Sequence, residues 1–191
     1  MKSKEITKKI VGGKYKHMSI SLPATEGTRS TKSIMKESLF DSLQFDIVGE
    51  DFVEVFGGSG SVGLEALSRG ASHAYFFEKE AYAYKILSQN CKKIAKDDTT
   101  CINADSFKEF PKFIAQFKSK AYFYFDPPFS IREGMEDVYD KTLNLISLIP
   151  KDMAHLLIVE HMSKHKMPQS IAHFKIKKTK KFGKSSLTYY I

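Results

Sequence analysis

The sequence has no tryptophan and only two cysteines, Cys91 and Cys101. Their spacing fits neither a CxxC pair nor a zinc set, which excludes a disulfide framework and leaves reduced thiols as the expectation. No stretch approaches the ~18 apolar residues of a membrane-spanning helix. Met1 to Lys9 carries charge with no apolar run behind it, so it does not read as a secretory signal, and a soluble cytoplasmic protein is expected. Internal repeats and low-complexity segments are missing too. What is present is ordinary globular usage: 191 residues, 42% hydrophobic, 27% charged, 13% aromatic, with 11 Gly and 6 Pro. That length suits one domain able to bury about 70% of its unfolded surface. No association surface is evident, so a monomer is expected.

The charge is one-sided. Lys plus Arg is 30 against 22 Asp plus Glu, a net +8 with pI near 9.3. Lys2, Lys4, Lys8, Lys9, Lys14 and Lys16 crowd the start, while Lys175, Lys177, Lys178, Lys180, Lys181 and Lys184 crowd the end. A pI above about 9 is a footprint of a nucleic-acid partner, and charge alone fits solvated lysine surfaces equally well.

Residues 1–28, with Gly12-Gly13, Pro23 and Gly27, read as a basic strand pair or arm preceding a main domain over 29–191. Ile34, Met35, Leu39, Phe40 and Leu43 recur at helical spacing behind a cap at Ser30 or Thr31. Beyond Gly49, strand and helix patterns alternate. Strands are expected at 51–56, 73–78, around Cys101-Ile102, at 121–125 and at 156–160. Helices are expected at 62–69, closed by Gly70, at 79–94, through the Phe-rich stretch Phe107 to Phe117, and near 137–149. Phe174 to Ile191 reads as a hairpin around Gly183. The continuously apolar Ala121 to Phe125 suits a strand buried on both faces of a parallel sheet. The alternation predicts an α/β open sheet with helices on both faces.

Two turns carry chemistry. Phe56-Gly57-Gly58-Ser59-Gly60-Ser61-Val62-Gly63 lies at a strand-to-helix turn, where glycine permits close approach and the helix offers free N–H groups. It lacks the Lys-Ser/Thr of a P-loop, but Gly58, Gly60 and Gly63 match GxGxxG, with Glu78 about twenty residues on. NAD and S-adenosylmethionine both fit. Glu54, leading into the loop, favours a cationic amino-acid moiety over a pyrophosphate. The second turn, Asp126-Pro127-Pro128-Phe129, closes the buried strand. Its prolines leave bare carbonyl acceptors beside a carboxylate, suited to gripping the two hydrogens of an exocyclic amine. Phe129 is placed to stack on the base, worth about 1–3 kcal/mol. His161 and His165 lie four apart, but Pro168 follows and no third ligand is near, so they read as a surface loop and not a metal site. The Phe-rich helix reads as core.

Together these pieces resemble class I S-adenosylmethionine-dependent methyltransferases of the amino-methylating (D/N)PP(F/Y) kind, and more closely the bacterial RsmD family. The likeness runs from Ile10-Val11-Gly12-Gly13 through Arg29-Ser30-Thr31 and Met35 to Phe40. It continues over Glu54 to Ala71, then Asp126 to Phe129, and ends with Phe182-Gly183 before Leu187 and Tyr190. Departures are Glu54 where the family usually has Asp, Ser30 where it has Pro, and Lys16-His17-Met18 where it has Gly-Arg-Lys. The resemblance implies a Rossmann-like, mostly parallel seven-stranded sheet with an antiparallel last strand and a small N-terminal hairpin. It implies S-adenosylmethionine as cofactor and no metal. The substrate it implies is the N2 amine of one guanine in 16S ribosomal RNA, met as RNA or within a small-subunit particle. Glu54, Phe56, Gly57, Gly58, Ser59 and Gly60 would hold the methionine end of the cofactor. Glu78, with Lys79 beside it, would take the ribose, and Asp105 and Ser106 the adenine. Asp126, Pro127, Pro128 and Phe129 would form the catalytic turn. Lys14, Lys16, Arg29, Thr31 and Lys36 would contact RNA or close over the cofactor. The alternatives are an adenine-N6 methyltransferase on DNA or RNA, an NAD-dependent oxidoreductase, and a non-catalytic RNA-binding module.

Overall fold

The computed structural model describes residues 6–23, 30–128 and 137–191. An arm of two short antiparallel strands, β1 (Thr7–Lys9) and β2 (Ser19–Ser21), precedes helix α1 (Ser30–Leu43). Then come β3 (Asp51–Glu54), α2 (Gly63–Ser68), β4 (His73–Phe77), α3 (Ala81–Ala95), β5 (Thr99–Ile102), α4 (Ser106–Gln116) and β6 (Ala121–Phe125). The chain closes with α5 (Val138–Ser147), β7 (Ala154–Met162), β8 (Ser170–Ile171), β9 (Phe174–Phe182) and β10 (Ser185–Tyr190). Gly70 stops α2 with φ +108°, a value that favours glycine. Glu80 caps α3, its carboxylate accepting from the N–H groups of Tyr82 and Ala83.

The strands form one sheet in the order β5-β4-β3-β6-β7-β10-β9-β8. The first five are parallel, and β10 runs antiparallel between β7 and β9. The expected seven strands with an antiparallel last one are therefore present. An eighth, β8, is added at the margin, where Ser170-Ile171 pairs with Phe174-Lys175. Two residues are too few for a period-two pattern, which is why this strand is invisible in the sequence.

The pleat of β6 divides the core. Tyr122 and Tyr124 face a layer containing Leu39 and Phe40 of α1, Leu64 of α2 and Leu87 and Ile94 of α3, with Ile10 and Ile20 of the arm. Phe123 and Phe125 face Phe110 and Ile114 of α4 and Leu145 and Ile146 of α5. The phenylalanines of α4 are core: Phe110 meets the rings of Phe77, Phe123 and Phe125 edge-on at 5.8–6.1 Å.

The surface-loop reading of His161 is corrected. It lies on β7, is buried, and its ring bonds Thr188 Oγ1 at 2.8 Å and the Met162 carbonyl at 2.9 Å. His165 does lie in the following loop, stacked on Tyr139 at 4.1 Å. Among the described residues no three His, Cys, Asp or Glu could hold a metal ion together, and no helix is long and apolar enough to cross a membrane.

Candidate functional site

The carboxyl ends of β3, β4, β5 and β6 share one edge of the sheet, and in open α/β sheets such an edge gathers ligands. β3 and β6 are adjacent there, joined beyond their ladder by the Val55 N–H to the Tyr124 carbonyl at 2.9 Å. The glycine loop therefore stands beside the turn that begins at Asp126.

The glycine loop is held from every side. Its own turn closes through the Gly60 N–H to the Gly57 carbonyl at 2.7 Å, and the Gly57 N–H reaches the Phe77 carbonyl at 2.7 Å. Glu54, buried at the end of β3, accepts the Gly63 N–H at 2.7 Å. Glu78, just past β4, accepts the Gly58 N–H at 2.9 Å and the Glu80 N–H at 2.7 Å. Asn90 of α3 donates to the Ser59 carbonyl at 2.9 Å. Sterics reinforce these bonds: Gly60 has φ +77°, and a Cβ there would sit 2.6 Å from a Leu87 methyl. A Cβ on Gly63 would overlap the Phe76 ring.

Beyond β5, Asp105 caps α4 by accepting the Phe107 N–H at 3.0 Å, and Lys79 stands 3.7 Å from its carboxylate. The Ser106 hydroxyl donates inward to the Val55 carbonyl, so its proton is committed to holding α4 against the end of β3. Phe56 packs on Phe107 at 5.4 Å.

At the Asp126 turn, Pro127 is buried and Pro128 half-buried. Below it, the Tyr124 hydroxyl donates to Glu160 at 2.7 Å. Burial, then the charges of Glu160, Asp126 and Glu54, pushes the Tyr124 phenol well above its usual range. Tyr139 is raised as well, by burial and by Asp126 and Glu160, against the lowering effect of its bond from the Met162 N–H. The floor of the site is thus a concentration of carboxylates around neutral phenols. Such a floor attracts a cationic or N–H-rich ligand, and a pyrophosphate at the glycine loop would meet Glu54 and Glu78. The chain's residues fit a nucleoside cofactor that carries an amino-acid moiety better than a dinucleotide.

The structure brings Glu54, Phe56, Gly57, Gly58, Ser59, Gly60, Glu78, Lys79, Asp105, Ser106, Asp126, Pro127 and Pro128 to this one edge. Arg29 and Phe129 lie outside the described residues, as does the side chain of Thr31. Lys14 and Lys16 are exposed in the arm's turn, at the end of α2 away from the glycine loop, where the Lys14 N–H meets the Ser68 carbonyl. The expectation that Lys36 contacts RNA is corrected. Its side chain is 4% exposed and its ammonium lies 2.9 Å from Glu65, so its charge is spent inside the protein. The same ammonium lies 3.4 Å from the Ser61 carbonyl, which makes it a strut of the loop.

Sequence reasoning missed the node that docks the arm. Glu65 is fully buried and accepts the Val11 N–H at 3.0 Å and the Gly12 N–H at 2.8 Å, besides pairing with Lys36 and with Arg69 at 3.2 Å. Burial alone would raise its carboxyl, but Lys36 and the two N–H groups hold it below the usual range. The signal was a lone acid in the apolar helix Leu64-Glu65-Ala66-Leu67. Nearby, Gly13 has φ +76° and a Cβ on it would overlap the Ser68 carbonyl. Asn90, which no motif marks, also bonds both backbone groups of Ser21 at 2.9 Å and so ties β2 to the glycine loop.

A family model described as conserved hypothetical protein 95 matches residues 8–191. Ribosomal RNA small subunit methyltransferase D of Escherichia coli (strain K12) is 31% identical over 139 residues, 72% of this chain. The match spans 66% of that relative, slightly under two thirds of its length. The solved structure of the Escherichia coli protein yhhF superposes with TM-score 0.77 at 26% identity, covering 96% of this chain and 97% of that one. The S-adenosylmethionine-dependent methyltransferase of Agrobacterium tumefaciens shares the fold, with TM-score 0.68 at 13% identity over 98% of this chain and 70% of that one.

Proposed function

The chain belongs to the family described as conserved hypothetical protein 95, and we propose that it transfers a methyl group from S-adenosylmethionine to the exocyclic N2 amine of a guanine in small-subunit ribosomal RNA. The observation that carries this reading is the Asp126-Pro127-Pro128 turn at the end of β6, directly beside the glycine loop at the end of β3. The printed name of the Escherichia coli relative supports the RNA class. The carboxylates around the loop speak against a dinucleotide oxidoreductase.

When bound, the cofactor supplies an electrophilic methyl group on a sulfonium sulfur. The loop Gly57 to Gly60 and Glu54 would hold its amino-acid end, Glu78 would accept from the ribose hydroxyls, and Asp105 with Lys79 and the Ser106 backbone would border the base. The Asp126 carboxylate and the Pro127 carbonyl accept the two hydrogens of the target amine, which directs the nitrogen lone pair at the methyl carbon. Once the amine has taken the methyl group, its surplus proton would pass to the Asp126 carboxylate. Positioning supplies most of the acceleration. A guanine within structured RNA must first leave its stack, at a cost of a few kcal/mol.

The test is transfer of labelled methyl to small and large ribosomal subunits purified separately from cells lacking this protein. Label on small-subunit RNA, recovered as N2-methylguanosine after nuclease digestion, is the expected result. Label recovered as N6-methyladenosine would keep the reaction class and overturn the target. No label on either subunit would overturn the substrate.

A further inference from the structure

The net charge of +8 is confined to the last 31 residues: 161–191 hold eight lysines and no acid, while 1–160 balance at 22 of each sign. The structure gives that tail a definite place. It is the loop after β7, then β8, β9 and β10, the outermost strands on the β6 side of the sheet. Strand β9 runs parallel to β6 and β7, so its carboxyl end and the β9–β10 turn lie at the same edge as Asp126. The loop after β7 is fastened there, with the Ser163 N–H bonded to the Lys184 carbonyl at 2.8 Å and the Ser163 hydroxyl to the Gly183 carbonyl at 3.0 Å. Lys164, Lys166, Lys181 and Lys184 are exposed around that joint.

Not every lysine of the tail is available. Lys180 is turned inward to Ser38 and Ser42 of α1 at 2.9 and 3.0 Å, and Lys178 lies over the Tyr189 ring at 4.7 Å. Lys175 and Lys177 lie at the other end of β9, where Lys175 pairs with Ser170 of β8, far along the strand from Asp126. At the joint, Lys164, Lys166 and Lys184 sit on loops with no strand edge to guard, and Lys181 stands beside them near the end of β9. Glu160, at the end of β7, is the nearest acid in sequence, and it is buried against Tyr124.

We infer that Lys164, Lys166, Lys181 and Lys184 form a docking surface for the RNA backbone on the Asp126 side of the site. They engage phosphates flanking the nucleotide whose amine Asp126 holds. This rests on the proposed function and adds to it a second basic contact besides Lys14 and Lys16. The arm packs on α2 and α3, whereas the joint lies at the ends of β7 and β9.

The experiment measures binding of deproteinised small-subunit ribosomal RNA by the full chain across a salt series, with S-adenosylmethionine binding measured in parallel. A triple Lys164→Gln, Lys166→Gln, Lys184→Gln variant is compared with an equally neutralised Lys118→Gln, Lys120→Gln, Lys151→Gln variant at the opposite edge of the sheet. Each phosphate contact contributes about 0.7 to the slope of log affinity against log salt on single strands, so the first triple should lower the slope by about 2. The control should retain it, and cofactor affinity should be unchanged in both. Equal slopes in both triples, or no change in either, would overturn the inference. So would loss of binding to phosphatidylglycerol vesicles with the RNA slope intact. Wild-type protein that binds cofactor and no RNA at any salt would overturn the proposed function itself.

Discussion

The glycine loop and the Asp-Pro-Pro turn sit on neighbouring strands, yet they are immobilised by opposite means. The loop is rich in backbone N–H groups, and Glu54, Glu78, Asn90 and Lys36 hold it from outside through hydrogen bonds to its backbone. The turn must offer acceptors, so it is fixed by two rings that carry no N–H at all, above aromatic and carboxylate packing. A surface that binds through donors needs polar scaffolding, because an unheld buried donor costs about 1–3 kcal/mol. One that binds through acceptors can be stiffened by proline alone. The two devices should therefore fail independently.

The sharpest way to break that independence is at Asp126. Asp126→Ala should lower single-turnover methyl transfer by about 10²–10⁴-fold, the range of a positioned acid–base group. Comparable loss from a loop variant with normal cofactor affinity would contradict the division. Next comes the node under the loop. Glu65→Ala leaves the Lys36 ammonium buried without its partner and orphans two N–H groups of the arm, and breaking a buried pair costs about 3–5 kcal/mol. Denaturant unfolding should register that loss. The wild type should show it gradually in acid. The Glu65 carboxyl is depressed in the folded state, so its contribution is complete above the unfolded value and fades as pH falls below about 4.

Smaller effects should separate ribose contact from loop support. Glu78→Gln keeps an acceptor and removes the charge, and calorimetry should show cofactor affinity about 10-fold weaker, as for a charge-assisted hydrogen bond made neutral. Asn90→Ala should weaken it only about threefold while loosening the arm. Faster hydrogen exchange at Ser21 would report that loosening, since the Ser21 N–H bonds the Asn90 side chain.

Much of this was legible in the sequence, for identifiable reasons. The parallel strands were readable because burial on both faces makes them continuously apolar, as in Ala121 to Phe125. Both turns were readable because glycine and proline are required there by backbone geometry. What escaped depended on tertiary partners. Lys36 looks like any surface lysine until Glu65 is found beneath it, and Asn90 has no local signature because its partners, Ser21 and Ser59, are 69 and 31 residues away. His161 was misjudged because Pro168 suggested a loop, while β7 in fact runs on through Met162, paired with β10.

The most direct test of the central claim is an equilibrium titration of S-adenosylmethionine into the Asp126→Ala protein alongside wild type. The account predicts affinities within a factor of two, because Glu54, Glu78, Asn90 and Lys36 brace the loop, together with transfer to small-subunit RNA lowered about 10²–10⁴-fold. Cofactor affinity lost in step with transfer would contradict it, showing the two turns to be one device.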